Sequence, residues 1–348
     1  MVTQAKYLTG DKNGIEEFIS RFDVFLFDCD GVCSPTNFLY FDTFQGDLDQ
    51  TRIGVLWSGE HLFEGTVETL ELLRSQGSIC FKPHPLYTDQ IDHCKGKQVV
   101  FVTNNSTKSR ADYKQKLTSM GIPATVDEVF GSSYSAAIYI SRILQLPPNK
   151  KTVFVLGEAG IETELDSEKV PHIGGTDPSL HRLMEKDDYA DIASGISLDP
   201  SVGVVLCGLD FHLNYLKLSL AFHYLRHGAV FLATNMDSTL PSSSTLFPGA
   251  GACSAPLVAM LGGRQPTSLG KPSQAMMDAI EGKFQFDRQR ACMIGDRLDT
   301  DIQFGIEGGL GGTLCVLTGV TKGKRDWEDE KIIPTAWVDR LGDLREGA

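Results

Sequence analysis

The chain has 348 residues and a formal net charge of −13, because 45 Asp and Glu outnumber 32 Lys and Arg. This acidic balance argues against a nucleic-acid partner, which normally requires a basic surface. The longest apolar runs, such as Val202–Cys207, are too short to span a bilayer, and we expect no membrane partner. The polar first residues lack a secretory signal, and none of the eight cysteines forms a C-x-x-C pair. We therefore expect a cytoplasmic protein.

Short apolar runs alternate with amphipathic segments along the whole chain. The runs predict buried strands at Asp23–Asp28, Gln98–Thr103, Thr152–Leu156, Gly203–Cys207, Ala229–Thr234, Arg290–Ile294 and Thr313–Leu317. Helical periodicity predicts helices at Gly65–Ser75, Ser109–Met120, Ser133–Leu144, Asn214–Arg226 and Ser273–Phe284. This alternation predicts an α/β fold with a doubly wound, mainly parallel sheet.

Two Gly/Pro-rich breaks divide the chain, at Leu146–Asn149 and Gly262–Pro266. Breaks of this kind are typical of the edges of an inserted domain. We therefore predict a core domain formed by residues 1–147 and 266–348, interrupted by an α/β domain at residues 148–265. Two irregular segments, 33–55 and 78–95, show neither helical nor strand periodicity, and structureless loops of this length are uncommon inside a compact domain.

Acidic residues follow two of the predicted strands. Asp28 and Asp30 end the first as Asp-x-Asp-Gly, and strand periodicity can point both carboxylates the same way. Asp296 follows a later strand, with Asp301 close behind it. Carboxylate oxygens of this kind suit Mg²⁺. The alternative is solvated acids at a turn or at a helix N-terminus.

Polar and basic residues follow other strands. Thr103, Asn104 and Asn105 lie between a buried strand and a helix, where hydroxyls, amides and backbone N–H groups can hold a phosphate. An ordinary helix cap explains these residues equally well. Lys271 lies between a Gly and a Pro at the start of another helix, where it can neutralise phosphate charge or simply face solvent.

Together, the four motifs place acids, small polar residues and a lysine at the carboxyl ends of strands, where ligands bind in open parallel sheets. In this order, from Asp28–Val32 through Phe101–Thr107 and Leu269–Ser273 to Gly295–Ile302, they resemble the haloacid dehalogenase (HAD) superfamily of phosphohydrolases. The likeness covers nearly the whole chain, and it is greatest to 4-nitrophenylphosphatase-like and phosphoglycolate phosphatases with a large α/β cap.

The resemblance implies a role for each site residue. Asp28 would be the nucleophile that forms an aspartyl-phosphate, and Asp30 the general acid and base. Asp28, the backbone carbonyl of Asp30 and Asp296 would hold Mg²⁺, with Asp301 in support. Residues that would bind the phosphate of a small phosphorylated metabolite are Thr103, Asn104, Asn105 and Lys271.

The resemblance also implies that residues 148–265 form the cap. A cap loop at Asn235–Pro241 would select the leaving group, with Asp237 and Leu240 as candidate contacts. Caps of this family mediate homodimers, so a dimer through the cap is expected.

The irregular segments 33–55 and 78–95 depart from the family pattern. They are either unusual loops or untranslated sequence read through in a gene model, and the first follows the catalytic strand. The resemblance favours 2-phosphoglycolate as substrate and 4-nitrophenyl phosphate as an artificial one. Pyridoxal 5′-phosphate or another small metabolite is the alternative, and a non-catalytic binding protein of the same fold is a third possibility if the first segment disrupts the site.

Overall fold

The computed structural model describes residues 5–29, 54–58, 61–76, 96–242, 245–328 and 332–347. The chain forms two compact units, the first comprising residues 1–102, 119–123 and 284–348 and the second residues 103–118 and 124–283. The boundaries between these units differ from those predicted between core and cap, at residues 147/148 and 265/266. The predicted core and cap boundaries stay a prediction. Of the two irregular segments, all but Gly54 and Val55 lies outside the described residues.

Strands and helices alternate along the chain. The strands are β1 (Lys6–Tyr7), β2 (Val24–Asp28), β3 (Trp57–Ser58), β4 (His61–Leu62), β5 (Gln98–Thr103), β6 (Val129–Gly131), β7 (Thr152–Leu156), β8 (His172–Gly174), β9 (Val202–Cys207), β10 (Val230–Ala233), β11 (Thr239–Ser242), β12 (Thr245–Pro248), β13 (Thr267–Ser268), β14 (Ala291–Gly295), β15 (Gly312–Val316) and β16 (Ala336–Val338). The α-helices are α1 (Lys12–Ser20), α2 (Thr66–Ser75), α3 (Arg110–Ser119), α4 (Ser132–Ile138), α5 (Ala159–Ser167), α6 (Lys186–Ser194), α7 (Tyr215–Arg226), α8 (Ala250–Met260), α9 (Gln274–Phe284), α10 (Gln303–Glu307) and α11 (Arg325–Glu328).

In the first unit, six strands pair in the order β1-β16-β15-β14-β2-β5, and all five pairings are parallel. Strand β2 lies in the interior of this order, and all five of its residues are buried. Phe25 and Phe27 are fully buried there, which explains the continuous apolar run in the sequence. The sheet therefore brings the carboxyl ends of β2, β5 and β14 to the same edge.

The second unit has its own parallel sheet, in the order β13-β10-β9-β7-β8. Alternate residues of β7 enter two different apolar clusters, Phe154 and Leu156 on one side and Val153 and Val155 on the other. Because side chains alternate across a strand, this pattern shows that helices cover both faces of the sheet. A separate antiparallel hairpin is formed by β11 and β12.

The structure confirms the predicted fold class, and each predicted strand matches an observed strand to within one or two residues at either end. The predicted helix Ser133–Leu144 is α4 followed by a π-helical turn, Tyr139–Ile143. Among the described residues, no helix is long and apolar enough to cross a membrane.

Candidate active site

Asp28 and Asp296 leave neighbouring strands of the first unit. Strand β2 ends at Asp28, and β14 ends at Gly295, one residue before Asp296. The register pairs Phe27 with Ile294, so both strands reach their carboxyl ends side by side. This is the edge at which open parallel sheets bind ligands.

The carboxylate of Asp296 is held by the turn that follows β15. The backbone N–H of Val320 donates to Oδ2 of Asp296 at 2.7 Å, and the N–H of Thr321 donates to its backbone oxygen at 3.0 Å. A β-carbon at Gly319 would overlap the Asp296 side chain. Glycine at this position therefore allows the carboxylate to lie directly against the backbone.

Asp301 turns back toward the end of β14 from a π-helical turn, Leu298–Ile302. Its Oδ2 accepts the backbone N–H groups of Asp296 at 3.2 Å and Arg297 at 3.1 Å. π-Helical turns are rare and occur frequently at functional sites. Asp301 thus fixes the backbone at Asp296 and Arg297, and these bonds keep its own carboxylate beside the end of β14.

The three carboxylates form one buried cluster. Asp28, Asp296 and Asp301 are 4%, 2% and 1% exposed, and one oxygen of each lies within 4.8 Å of the others. Buried like charges at this separation repel each other unless a cation lies among them. Hard oxygen ligands are those that Mg²⁺ prefers, so the donor set fits this ion. The structure therefore brings together the predicted residues Asp28, Asp296 and Asp301, whereas Asp30 lies outside the described residues.

Cys315 on β15 lies near this cluster. Burial, together with the negative charge of Asp296, raises the pKa of its thiol to about 12. The thiol therefore stays protonated at neutral pH and adds no negative charge beside the carboxylates.

In the second unit, the predicted phosphate-binding residues Thr103 and Asn105 shape the loop that follows β5. The Thr103 hydroxyl donates to the Tyr113 oxygen at 3.0 Å and accepts the N–H of Asn105 at 3.0 Å. Oδ1 of Asn105 accepts the N–H of Thr107 at 2.9 Å. These local bonds fix the backbone of the loop before α3 begins.

Asn104 joins this loop to the segment that carries Lys271. Its Oδ1 accepts the N–H of Lys271 at 2.8 Å, and its Nδ2 donates to the Lys271 carbonyl at 3.1 Å. Asn104 and Lys271 are 6% and 3% exposed. The structure therefore brings these two predicted site residues together.

The predicted cap loop also meets Asn104. Nδ2 of Asn104 lies 3.2 and 3.3 Å from the two carboxylate oxygens of Asp237. Leu240 packs instead against a small apolar cluster that contains Leu209, Ala250 and Cys253. A substrate contact by Asp237 or Leu240 stays a prediction.

Sequence reasoning missed a buried ion pair in the second unit. Nζ of Lys217 lies 2.9 and 3.2 Å from the two oxygens of Asp210, and both side chains are almost completely buried. One oxygen of Asp210 also lies within 4.8 Å of a ligand atom of Glu158 and of His212. The signal in the sequence was a lysine at position 217 on the helix face that also carries Leu220, Ala221 and Tyr224.

Comparisons with known proteins place these features in a family. A model of haloacid dehalogenase-like hydrolases matches residues 50–170, and a HAD-hydrolase-like model matches residues 268–344. The chain is 46% identical over 346 residues to a 4-nitrophenylphosphatase of Schizosaccharomyces pombe, covering 99% of this chain and 100% of that protein. It is 39% identical over 310 residues to phosphoglycolate phosphatase 2 of Arabidopsis thaliana, covering 87% and 92%.

A solved structure is similar along most of the chain. It is a glycerol phosphate phosphatase of Mycobacterium tuberculosis in complex with magnesium, with a TM-score of 0.66 and 26% identity. The match covers 94% of this chain and 77% of that one. These matches confirm the predicted family, the predicted fold and the predicted hydrolase class.

Proposed function

Because the chain belongs to the haloacid dehalogenase-like hydrolases, we propose that it is a Mg²⁺-dependent phosphatase of small phosphorylated metabolites, with 2-phosphoglycolate as preferred substrate. The observation that carries the proposal is the buried cluster of Asp28, Asp296 and Asp301 at the ends of parallel strands. A structural role explains such a cluster poorly, because three buried carboxylates so close together destabilise a protein without a cation.

In the proposed reaction, a carboxylate oxygen of Asp28 attacks phosphorus, and the bond from phosphorus to the ester oxygen breaks. Asp30 gives its proton to the leaving oxygen, which departs as an alcohol. A water then attacks the aspartyl-phosphate, Asp30 takes a proton from it, and inorganic phosphate leaves with Asp28 regenerated. The net reaction converts the ester and one water into an alcohol and inorganic phosphate, and both carboxyl groups return to their starting states.

Asp28, Asp296 and the backbone carbonyl of Asp30 would hold the Mg²⁺, with Asp301 orienting the Asp296 loop through two N–H groups. When bound, the ion supplies positive charge that lets an anionic nucleophile approach an anionic phosphate. Lys271 is proposed to bind the phosphoryl oxygens, together with Thr103 once its hydroxyl exchanges the bond to Tyr113 for one to phosphate. Phosphoryl transfer depends mainly on such positioning and electrostatics.

Phosphoglycolate is proposed on the strength of the Arabidopsis relative, which is named for that substrate. The S. pombe relative is named for 4-nitrophenyl phosphate, and the M. tuberculosis structure for glycerol phosphate. Within the predicted cap loop, Leu240 and Pro241 offer no cation for the carboxylate of phosphoglycolate. Glycerol phosphate and pyridoxal 5′-phosphate are therefore the rival substrates to compare.

A homodimer through the cap and a cytoplasmic location are proposed as well. Leu183, Tyr215 and Leu246 of the second unit expose 87%, 64% and 64% of their surface, so large side chains are available there to an interface. Sedimentation velocity tests the dimer, and fractionation of cells that produce the protein tests its location. A monomer at micromolar concentration would argue against the dimer.

Phosphate release from four esters tests the function. Phosphoglycolate, glycerol 3-phosphate, pyridoxal 5′-phosphate and 4-nitrophenyl phosphate are each assayed with Mg²⁺ and with EDTA. We expect activity with Mg²⁺ only, the highest kcat/KM for phosphoglycolate, and a phosphorylated Asp28 peptide after an acid quench. Release that is unchanged in Asp28→Asn would refute the mechanism. Complete inactivity toward all four esters would favour the non-catalytic alternative.

A further inference from the structure

We propose that Asn104 and Asp237 form a clasp that positions Lys271, and that Asp237 is a positioning residue and not a contact to the leaving group. The inference deepens the proposed function, because it assigns Asp237 a role in that reaction. All residues of the clasp lie in the second unit.

Both the oxygen and the nitrogen of the Asn104 side-chain amide form hydrogen bonds. Its oxygen accepts the Lys271 N–H at 2.8 Å, and its nitrogen donates to the Lys271 carbonyl at 3.1 Å. The same nitrogen donates to the Asp237 carboxylate at 3.2 Å. An amide nitrogen has two hydrogens, so both are used and the oxygen is used as well. A phosphate contact from this amide would require the breaking of one of these bonds.

The backbone of Asn104 is fixed from two further directions. Its carbonyl accepts the Ser132 hydroxyl at 2.7 Å and Nδ2 of Asn235 at 2.7 Å. Oδ1 of Asn235 in turn accepts the N–H of Asp237 at 3.1 Å. The loop that carries Asp237 is therefore tied to Asn104 through both a side chain and a backbone group.

The approach is close enough to require glycine at two positions. A β-carbon at Gly270 would lie 2.7 Å from Oδ1 of Asn104 and would overlap the Thr234 carbonyl. The N–H of Gly251, at the start of α8, donates to the Asp237 carbonyl at 2.9 Å, and a β-carbon there would lie 2.5 Å from the Met236 carbonyl. Glycine at positions 270 and 251 thus leaves room for the close contacts of the clasp.

A clasp and a substrate contact make opposite predictions for the charge of Asp237. Hydrogen bonding to Asn104 needs an acceptor oxygen at position 237, and the Asp237→Asn substitution retains one. A contact to the leaving group would instead depend on the negative charge, and its loss would favour the anionic phosphoglycolate over the uncharged nitrophenyl group. The ratio of kcat/KM for these two esters therefore separates the two roles.

The experiment compares Asp237→Ala, Asp237→Asn and Asn104→Ala with the unaltered chain, and Asp191→Ala on the exposed side of α6 is the matched control. We expect Asp237→Ala to lower kcat/KM for both esters by the same factor, about tenfold or more. Asp237→Asn should recover most of that loss with the ratio of the two esters unchanged. A ratio that shifts more than about threefold in Asp237→Asn would overturn the clasp in favour of a substrate contact.

Amide hydrogen exchange gives a second readout that needs no catalysis. In Asn104→Ala and Asp237→Ala, we expect faster exchange in peptides that span 235–241 and 269–273, and exchange near that of the unaltered chain in Asp237→Asn. Unchanged exchange in both alanine variants would overturn the proposal. If the unaltered chain hydrolyses no ester, the proposed function fails, and the exchange data still decide whether the clasp exists.

Discussion

Gly319 lies so close to Asp296 that a β-carbon at position 319 would overlap the Asp296 carboxylate. The neighbouring N–H of Val320 donates to the same carboxylate at 2.7 Å. The turn after β15 thus sets the position of a carboxylate at the end of β14. Under the proposed function Asp296 binds Mg²⁺, and loss of a group that orients a metal ligand typically lowers metal affinity about 10- to 100-fold.

The first prediction follows from this contact. In Gly319→Ala, the added methyl group displaces the Asp296 carboxylate or the Val320 N–H, and the Mg²⁺ concentration for half-maximal activity should rise about tenfold. Titration of phosphatase activity with Mg²⁺ measures the effect. Gly323→Ala is the matched control in the same segment between β15 and α11, since a β-carbon there meets nothing within 4 Å. Equal Mg²⁺ dependence in both variants would contradict the assignment.

The second prediction concerns repulsion within the carboxylate cluster. Without a cation, Asp28→Asn removes one of three neighbouring buried charges, and its melting temperature in EDTA should exceed that of the unaltered chain by about 3 °C. Mg²⁺ should raise the melting temperature of the unaltered chain more than that of the variant, because the ion binds the folded cluster. Differential scanning calorimetry with EDTA and with Mg²⁺ measures both effects. Asp191→Asn is expected to behave like the unaltered chain, and destabilisation of Asp28→Asn in EDTA would count against the cluster.

Much of the fold and part of the site could be predicted from the sequence because they depend on local pattern. Val24–Phe27 and Val202–Cys207 are continuous apolar runs, and such runs become buried parallel strands. Asp28 and Asp296 are predictable as site residues because each lies at the carboxyl end of such a strand. In contrast, strands as short as Val129–Gly131 contain too few residues to show any periodicity.

The rest depends on contacts between distant parts of the chain. Asn104 and Asp237 are 133 positions apart, and no local pattern indicates that they bond. The sequence Thr103-Asn104-Asn105 after a strand predicts a phosphate-binding loop or a helix cap. In the structure, the Asn104 amide instead bonds to the backbone of Lys271. Asp210 likewise shows no local signal of a buried ion pair, because only the fold brings Lys217 against it.

The third prediction concerns that buried ion pair. Lys217→Met leaves the Asp210 carboxylate buried without its cation and should cost about 3–5 kcal/mol in the free energy of unfolding. Lys217→Met with Asp210→Asn should recover much of the loss. Arg142→Met is the control. The Arg142 side chain, which pairs with Glu168, is 60% exposed, and exposed ion pairs contribute less than about 1 kcal/mol.

Urea unfolding followed by far-ultraviolet circular dichroism measures these costs. All three tryptophans, Trp57, Trp327 and Trp337, lie in the first unit, whereas Lys217 lies in the second. Tryptophan fluorescence alone would therefore report on the unit that does not contain the ion pair. A Lys217→Met variant as stable as the control would contradict the predicted contribution of the pair.

The fourth prediction addresses how a chain with a net charge of −13 holds an anionic phosphate. Lys271 is 3% exposed, and its segment is fixed by the Asn104 amide, so its ammonium group carries little conformational freedom. Lys271→Met retains most of the side-chain volume and removes the charge. Inorganic phosphate should then inhibit the variant at least about tenfold more weakly than the unaltered chain, because a charge-assisted bond to phosphate is lost. Lys151→Met, which removes an exposed lysine before β7, controls for net charge. If both substitutions weaken inhibition equally, the effect is one of overall charge, and Lys271 does not bind the phosphate.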